Sequence, residues 1–239
     1  MATVILVRHG RTTANATGVL AGRTPGVLLD ETGEEQAAAT GERLAVVPLA
    51  ALVSSPLDRC RQTIEEIRRR QVAPPEVTVD EAISECDYGD WQGRPLAELA
   101  GEELWTTVQR HPSAAHFPGG ESIHHMQSRS VAAIRAHDAA IEAEHGAGAV
   151  WVAVSHGDII KAVVADAYGM HLDLFQRVQA DPASVTIIRY GRSRPQVVSV
   201  NTHAGDLAWL APTPGADAPD EDAAVGGGAG PAASPGGRS

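Results

Sequence analysis

Two stretches end an apolar run with histidine and glycine: "VILVRHG" at residues 4–10 and "VWVAVSHG" at 150–157. A neutral imidazole is a nucleophile, and a protonated one holds anions. Glycine after each ring lets the backbone turn sharply and brings N–H groups close to a negative charge. One loop histidine needs no task. Two of them, His9 and His156, each closing a buried strand and one preceded by Arg8, argue for a shared site. Arg59 lies near the start of a helical segment in "SSPLDRCRQT", where the helix dipole disfavours a cation, so its placement suggests an anion to neutralise. Arg68, Arg69 and Arg70 end the same segment and suit the dipole there. "ISECDYGDWQG" brings three carboxylates, Glu85, Asp87 and Asp90, into a Gly-rich turn, and spacing does not choose among them.

Such groups need a rigid frame. Thr3–Val7 is continuously apolar and mostly β-branched, as a strand covered on both faces should be, and 149–154 repeats the pattern. Shorter candidates are Ala51–Ser54 and 184–190, the latter forming a hairpin with 195–201. Helical signals lie between them. Thr32 with Glu35 reads as a capping box, with Ala37, Thr40, Gly41 and Leu44 on one side. Leu57, Cys60, Ile64 and Ile67 form a helical stripe. Residues 121–144 read as one long helix, and Ile159, Ile160, Val163, Val164 and Ala167 mark another. Alternation of this kind predicts an α/β fold, a three-layer α/β/α sandwich with a mostly parallel central sheet. Ligands of open α/β sheets sit beyond the carboxyl ends of strands, where both His-Gly pairs fall.

The chain has 239 residues and a net charge of −11. Residues 211–239 are rich in Gly, Pro, Ala and Asp and bury too little to offset ordering entropy, so they are expected to form a disordered acidic tail after a single domain at 1–210. An acidic body argues against nucleic acid, which needs a basic face, yet leaves room for one local positive pocket. No run approaches the roughly 18 apolar residues of a membrane span, and the N-terminus lacks a signal-peptide pattern, so a cytoplasmic location is expected. Cys60 and Cys86 form neither a disulfide framework nor a metal motif. His124 and His125 point apart on a helix and cannot share a metal. No metal and no cofactor are expected.

"LVRHGRTTAN" resembles the signature that opens the histidine phosphatase superfamily, the phosphoglycerate-mutase-like enzymes. "SSPLDRCRQT", "ISECDYGDWQG", "FPGGES" and "VSHGDII" resemble its later motifs in the same order, so the likeness spans residues 3 to about 200. The resemblance implies that His9 is the nucleophile, forming a phosphohistidine. It implies that Arg8, Arg59 and His156 bind the phosphoryl oxygens and that Glu85 is the proton donor and then the base for water. Charge on a phosphoryl group in flight spreads over three oxygens. Two guanidiniums and an imidazolium aimed there are each worth about 2–4 kcal/mol by analogy with an oxyanion-hole donor. Glu85 must begin protonated, which requires a raised pKa.

Asn15, Gly22, Arg23, Glu121, Ser122 and Gly157 are the candidate substrate contacts, although Glu121 and Ser122 serve equally well as the start of the long helix. Where the family often carries Glu and Trp after its opening motif, this chain has Arg11 and Ala14, the first adding positive charge near the site. Extra basic residues to hold a second phosphate are not evident. The expected activity is therefore a metal-independent phosphatase acting on a small phosphorylated metabolite, with a phosphomutase or a catalytically idle phospholigand-binding protein as the alternatives. A homodimer is left open.

Overall fold

The structure, a computed structural model, describes residues 2–191, 193–205 and 225–230. In chain order it runs β1 (Thr3–Arg8), α1 (Thr13–Ala16), α2 (Glu31–Leu44), β2 (Ala51–Ser54), α3 (Asp58–Arg68) and β3 (Val77–Val79). An insertion of short turns follows, with α4 (Leu96–Leu99) and α5 (Glu103–Arg110). Then come α6 (Ile123–His145), β4 (Val150–Ser155), α7 (Gly157–Tyr168), β5 (Val185–Tyr190) and β6 (Pro195–Thr202).

The sheet order is β3-β2-β4-β1-β5-β6. Strands β1 to β4 are mutually parallel, while β5 runs antiparallel to β1 and pairs with β6 as the anticipated hairpin. The near-continuous apolar runs in β1 and β4 follow from their central places, because alternate side chains enter two different cores. Val4, Leu6, Trp151 and Ala153 pack with Ile134 of α6 and Val163 of α7. Ile5, Val7, Val152 and Val154 face the other way, against Leu44 of α2 and Ile64 and Ile67 of α3. Two helical layers around one sheet are the three-layer sandwich.

A third apolar cluster, with Tyr88, Trp91, Phe117 and Phe175, lies under the insertion and anchors the turn that carries Glu85. Strand β3 has no counterpart in the sequence reading, since three residues are too few for a period to register. The start of α2 also differs. Asp30 is the N-cap, accepting from the Gly33 N–H at 2.8 Å, so the helix begins at Glu31 and Thr32 lies within it.

Register does the positioning. Arg8 is paired with Ser155 across parallel strands, so the next residues, His9 and His156, leave the sheet side by side. Behind His9 the chain presses on α2: a Cβ on Gly10 would strike the Gly33 carbonyl, and one on Gly33 would strike the Arg11 carbonyl. This close approach gives a test. Gly33→Ala should destabilise the protein by about 3 kcal/mol, the upper end of overpacking, because only backbone can give way. Urea unfolding reads it, and a loss below about 0.5 kcal/mol, the ordinary surface value, would show that the loop is not clamped.

Candidate active site

His9, Arg59 and Glu85 line one cavity at the carboxyl edge of the sheet. Arg8 and His156, both fully buried, lie against it. The Nδ1–H of His9 donates to the Gly10 carbonyl at 2.7 Å, which leaves Nε2 as the lone-pair nitrogen. Arg59 donates to that nitrogen through Nε at 3.2 Å. The His9 pKa is driven well below the ordinary imidazole value by burial first, then by the charges of Arg59 and Arg8. The ring is therefore neutral at physiological pH, as a nitrogen nucleophile must be.

Arg59 is the hinge of the site. Its Nη2 donates to the Gly22 carbonyl at 2.7 Å and to Nδ1 of His156 at 3.3 Å. The left-handed Gly22 lets its loop come close, for a Cβ there would meet the Gln92 side chain. His156 accepts at Nδ1, so its Nε2–H faces the Ser55 hydroxyl at 2.7 Å. Its pKa too is pushed well below the usual value, by burial and then by Arg59, His9 and Arg8. The site thus holds a neutral His156 where an imidazolium was expected. Two guanidiniums beside a ring excluded from water outweigh its preference for a proton.

Glu85 is buried, with Oε2 at 3.9 Å from His156 Nδ1 and Oε1 accepting from the Cys86 N–H at 2.9 Å. Burial first, and then the Asp158 charge, push its pKa up to about 7. That geometry separates it from Asp87 and Asp90, which the sequence left as equals. Asp87 instead caps the turn through the Gly89 N–H at 3.1 Å. Asp158, on the first turn of α7, accepts from the Tyr88 hydroxyl at 2.7 Å and sits 3.5 Å from Lys161.

The candidate substrate contacts divide. Asn15 and Gly22 line the cavity, the former spending its Oδ1 on the Thr12 N–H. Arg23, Glu121 and Ser122 do not line it and do structural work instead. Glu121 accepts from Arg23 Nη2 at 3.0 Å, from the Asp87 N–H at 2.9 Å, and from Arg129. Arg23 and Arg129 both donate to the Glu85 carbonyl, at 2.8 and 3.1 Å. The cluster is a clamp on the backbone of Glu85. Burial alone would raise the Glu121 pKa, yet hydrogen bonds from Arg129 and the Asp87 N–H hold it low. Ser122 caps α6 through the His125 N–H at 3.1 Å. Arg11 turns away from the cavity to Asp30 at 2.8 Å and Thr32, so it adds no free charge to the site.

The sequence reading missed Ser55, Asp158 and Arg129. Asp158 had a signal, being a carboxylate at the start of a largely apolar helix; Arg129 had none. It also missed the ordered part of the C-terminal tail. Residues 225–230, expected to be disordered, are packed at the site, with Val225, Gly226 and Gly228 among the cavity-lining residues. Their partners bond to main-chain atoms, which composition does not reveal. The remainder of 211–239 lies outside the described residues. Gly157 opens α7 and faces this segment, a Cβ there lying 3.0 Å from the Gly226 carbonyl oxygen. Both thiols are buried. Cys60, with Sγ 3.5 Å from His156 Nε2, is pushed up to about 12 by desolvation, and burial raises Cys86 as well. Among the described residues no cluster of His, Cys, Asp and Glu could hold a metal ion, and no helix is long and apolar enough to cross a membrane.

The raised Glu85 pKa has a stability consequence. Between the ordinary value of 4.5 and about 7 the folded chain holds a proton that the unfolded chain has released. The carboxyl therefore erodes stability as pH climbs through that window. Glu85→Gln should match the parent below pH 4.5 and become more stable across the window by on the order of 2–3 kcal/mol, levelling off above it. Urea unfolding over a pH series checks this, and a constant difference would mean Glu85 titrates normally.

Comparison with known proteins agrees with this geometry. The family model described as "Histidine phosphatase superfamily (branch 1)" matches residues 4–203. The chain is 31% identical over 184 residues to the 2,3-bisphosphoglycerate-dependent phosphoglycerate mutase 2 of Gloeobacter violaceus, covering 76% of this chain and 82% of that protein. Among solved structures, Bacillus stearothermophilus YhfR superposes with a TM-score of 0.74 at 27% identity, over 87% of this chain and 98% of that one. A mycobacterial glucosyl-3-phosphoglycerate phosphatase, solved with VO3, also gives a TM-score of 0.74, at 28% identity over 83% and 98%. With the motifs in order, the two histidines side by side and the sheet in common, this chain belongs to branch 1 of the histidine phosphatase superfamily.

Proposed function

We propose that the protein is a phosphoric monoester hydrolase that cleaves a small phosphorylated metabolite through a phosphohistidine, with no metal. The observation that carries this is the neutral His9, whose Nε2 lone pair is held by Arg59 within the cavity that Glu85 also lines. The Arg59 Nε–H hydrogen bond passes from Nε2 to a phosphoryl oxygen, and the freed lone pair forms the bond to phosphorus as the ester P–O bond breaks. Glu85, still protonated near neutral pH, passes its proton to the leaving oxygen. The resulting carboxylate takes a proton from water, the water oxygen attacks phosphorus, and the P–N bond breaks to free orthophosphate and His9. Arg8 and Arg59 offset the charge on the equatorial oxygens. A phosphate dianion in the pocket would also favour a proton on His156, which then joins them.

The second reading is a phosphomutase, favoured by the likeness to the Gloeobacter protein. A mutase must retain the group and hold a second phosphate. The arginines around the cavity are already committed: Arg11 to Asp30, Arg23 to Glu121, and Arg94 to Glu102 at 2.7 Å. That accounting, with the likeness to the mycobacterial phosphatase, supports hydrolysis.

Two experiments test the proposal. Incubation with a labelled phosphomonoester should place an acid-labile, base-stable phosphate on the protein, and His9→Ala should abolish it. Label surviving in that variant rules out His9. On 3-phosphoglycerate the enzyme should release phosphate rather than form the isomer; isomer formation selects the mutase.

The pH profile follows from Glu85. For an alkyl ester, whose leaving group needs a proton, kcat/KM should fall as pH rises above about 7, where Glu85 ionises. The acidic limb should lie well below the ordinary imidazole range, since His9 resists protonation. Glu85→Gln should slow alkyl esters about 10²–10⁴-fold and p-nitrophenyl phosphate far less. Equal slowing of both would assign the proton donor to Asp87 or another group.

A further inference from the structure

Arg8 is one of two buried guanidiniums at the cavity, yet its terminal nitrogens are already occupied. Nη1 donates to the Ala180 carbonyl at 2.9 Å, and Nη2 donates to the carbonyls of Gly228 at 2.9 Å and Gly226 at 3.4 Å. Its buried Nε has no hydrogen-bond partner among the described residues. Burial, eased by the charges of Glu85, Asp181 and Asp158, brings its pKa down to about 10, so it stays charged and strongly in want of acceptors.

The acceptors come from the far end of the chain, 218 and 220 residues away. Three further contacts seat the segment. Val225, 2% exposed, enters the apolar cluster with Leu20 and Tyr88. The Gly226 N–H donates to Asp158 at 3.0 Å. Gly226 and Gly227 both adopt left-handed φ, +75° and +71°, and a Cβ on Gly227 would lie 3.2 Å from the Arg8 guanidinium. The segment can lie this close only because Gly157 and Gly227 carry no side chains.

With it in place, the cavity holding His9, Arg59 and Glu85 has a volume of about 30 Å³. That admits about two waters. It is an order of magnitude short of the roughly 300 Å³ at the lower end for small-molecule sites.

We propose that Val225–Gly228 is an autoinhibitory strap. Its carbonyl oxygens stand in for phosphoryl oxygens on Arg8, and it must leave before a phosphomonoester can enter. The proposal rests on the reading of the cavity as a phosphoryl site. Carbonyls are neutral, so a dianion competes with them for the same guanidinium by charge. A strap closed in about nine molecules of ten lowers apparent substrate affinity about tenfold and leaves the saturated rate alone.

The test uses two full-length variants that replace no group of the reaction. Val225→Asp puts a charge into the apolar seat, and the double change Gly226→Val with Gly227→Val removes both left-handed turns. Orthovanadate binding is measured by calorimetry, and p-nitrophenyl phosphate turnover by rate. Both variants should bind orthovanadate about tenfold more tightly than the parent and show KM about tenfold lower, with kcat within about twofold. Unchanged or weaker vanadate binding overturns the strap. So does a large fall in kcat, which would make the segment a catalytic lid. Two variants of unrelated chemistry keep a local folding fault from imitating the result. The vanadate arm needs no turnover: if no protein hydrolyses any ester but the variants bind vanadate more tightly, the proposed reaction fails and the strap stands.

Discussion

A nitrogen nucleophile beside two guanidiniums is useful only while it stays unprotonated, and the rest of the site is organised around that constraint. Burial and the neighbouring positive charges expel the proton from His9, and the Gly10 carbonyl fixes which nitrogen keeps the lone pair. Arg59 donates to that lone pair and so keeps a guanidinium within reach of any group that takes its place. The same guanidinium reaches the Gly22 carbonyl and His156, so one side chain sets the spacing of the nucleophile, the loop over it and the second imidazole. The flat, branched geometry of arginine suits this task, since a lysine ammonium offers no rigid fork of donors.

The carboxyl group works under the opposite demand. Glu85 must keep its proton within reach of cations that would strip it, and burial together with the Asp158 charge prevails. Its backbone is fixed from outside by Arg23 and Arg129, which are fixed in turn by Glu121. These arginines neutralise Glu121, outside the cavity, and leave the pocket's field to Arg8 and Arg59. An acidic protein thereby hosts a positive pocket: most of its arginines near the site are matched locally, and the two that matter are buried, where water does not screen them.

Much of this was legible in the chain. The apolar runs of β1 and β4 marked central strands because both of their faces are covered, and the His-Gly pairs marked their ends. Parallel register then brought His9 and His156 together with no need of further signal. What could not be read depends on contacts that leave no pattern. Glu85 shares its carboxyl chemistry with Asp87 and Asp90, and what sets it apart is what surrounds it. Glu121 read equally well as a substrate contact or as the start of the long helix, and only the structure shows its charge paired with Arg23. The strap was hidden more deeply: glycine carbonyls bond to Arg8, and every residue has a carbonyl.

The proposed reaction forms its covalent bond on nitrogen and gives sulfur no part. Cys60 lies beside His156 but is desolvated, its thiol pushed up to about 12, and Cys86 is raised likewise. Oxidants attack the thiolate form, and near neutral pH almost none exists here. Peroxide, which silences enzymes built on a reactive cysteine, finds almost no thiolate to attack in this pocket, and the proposed phosphoryl transfer would not depend on one.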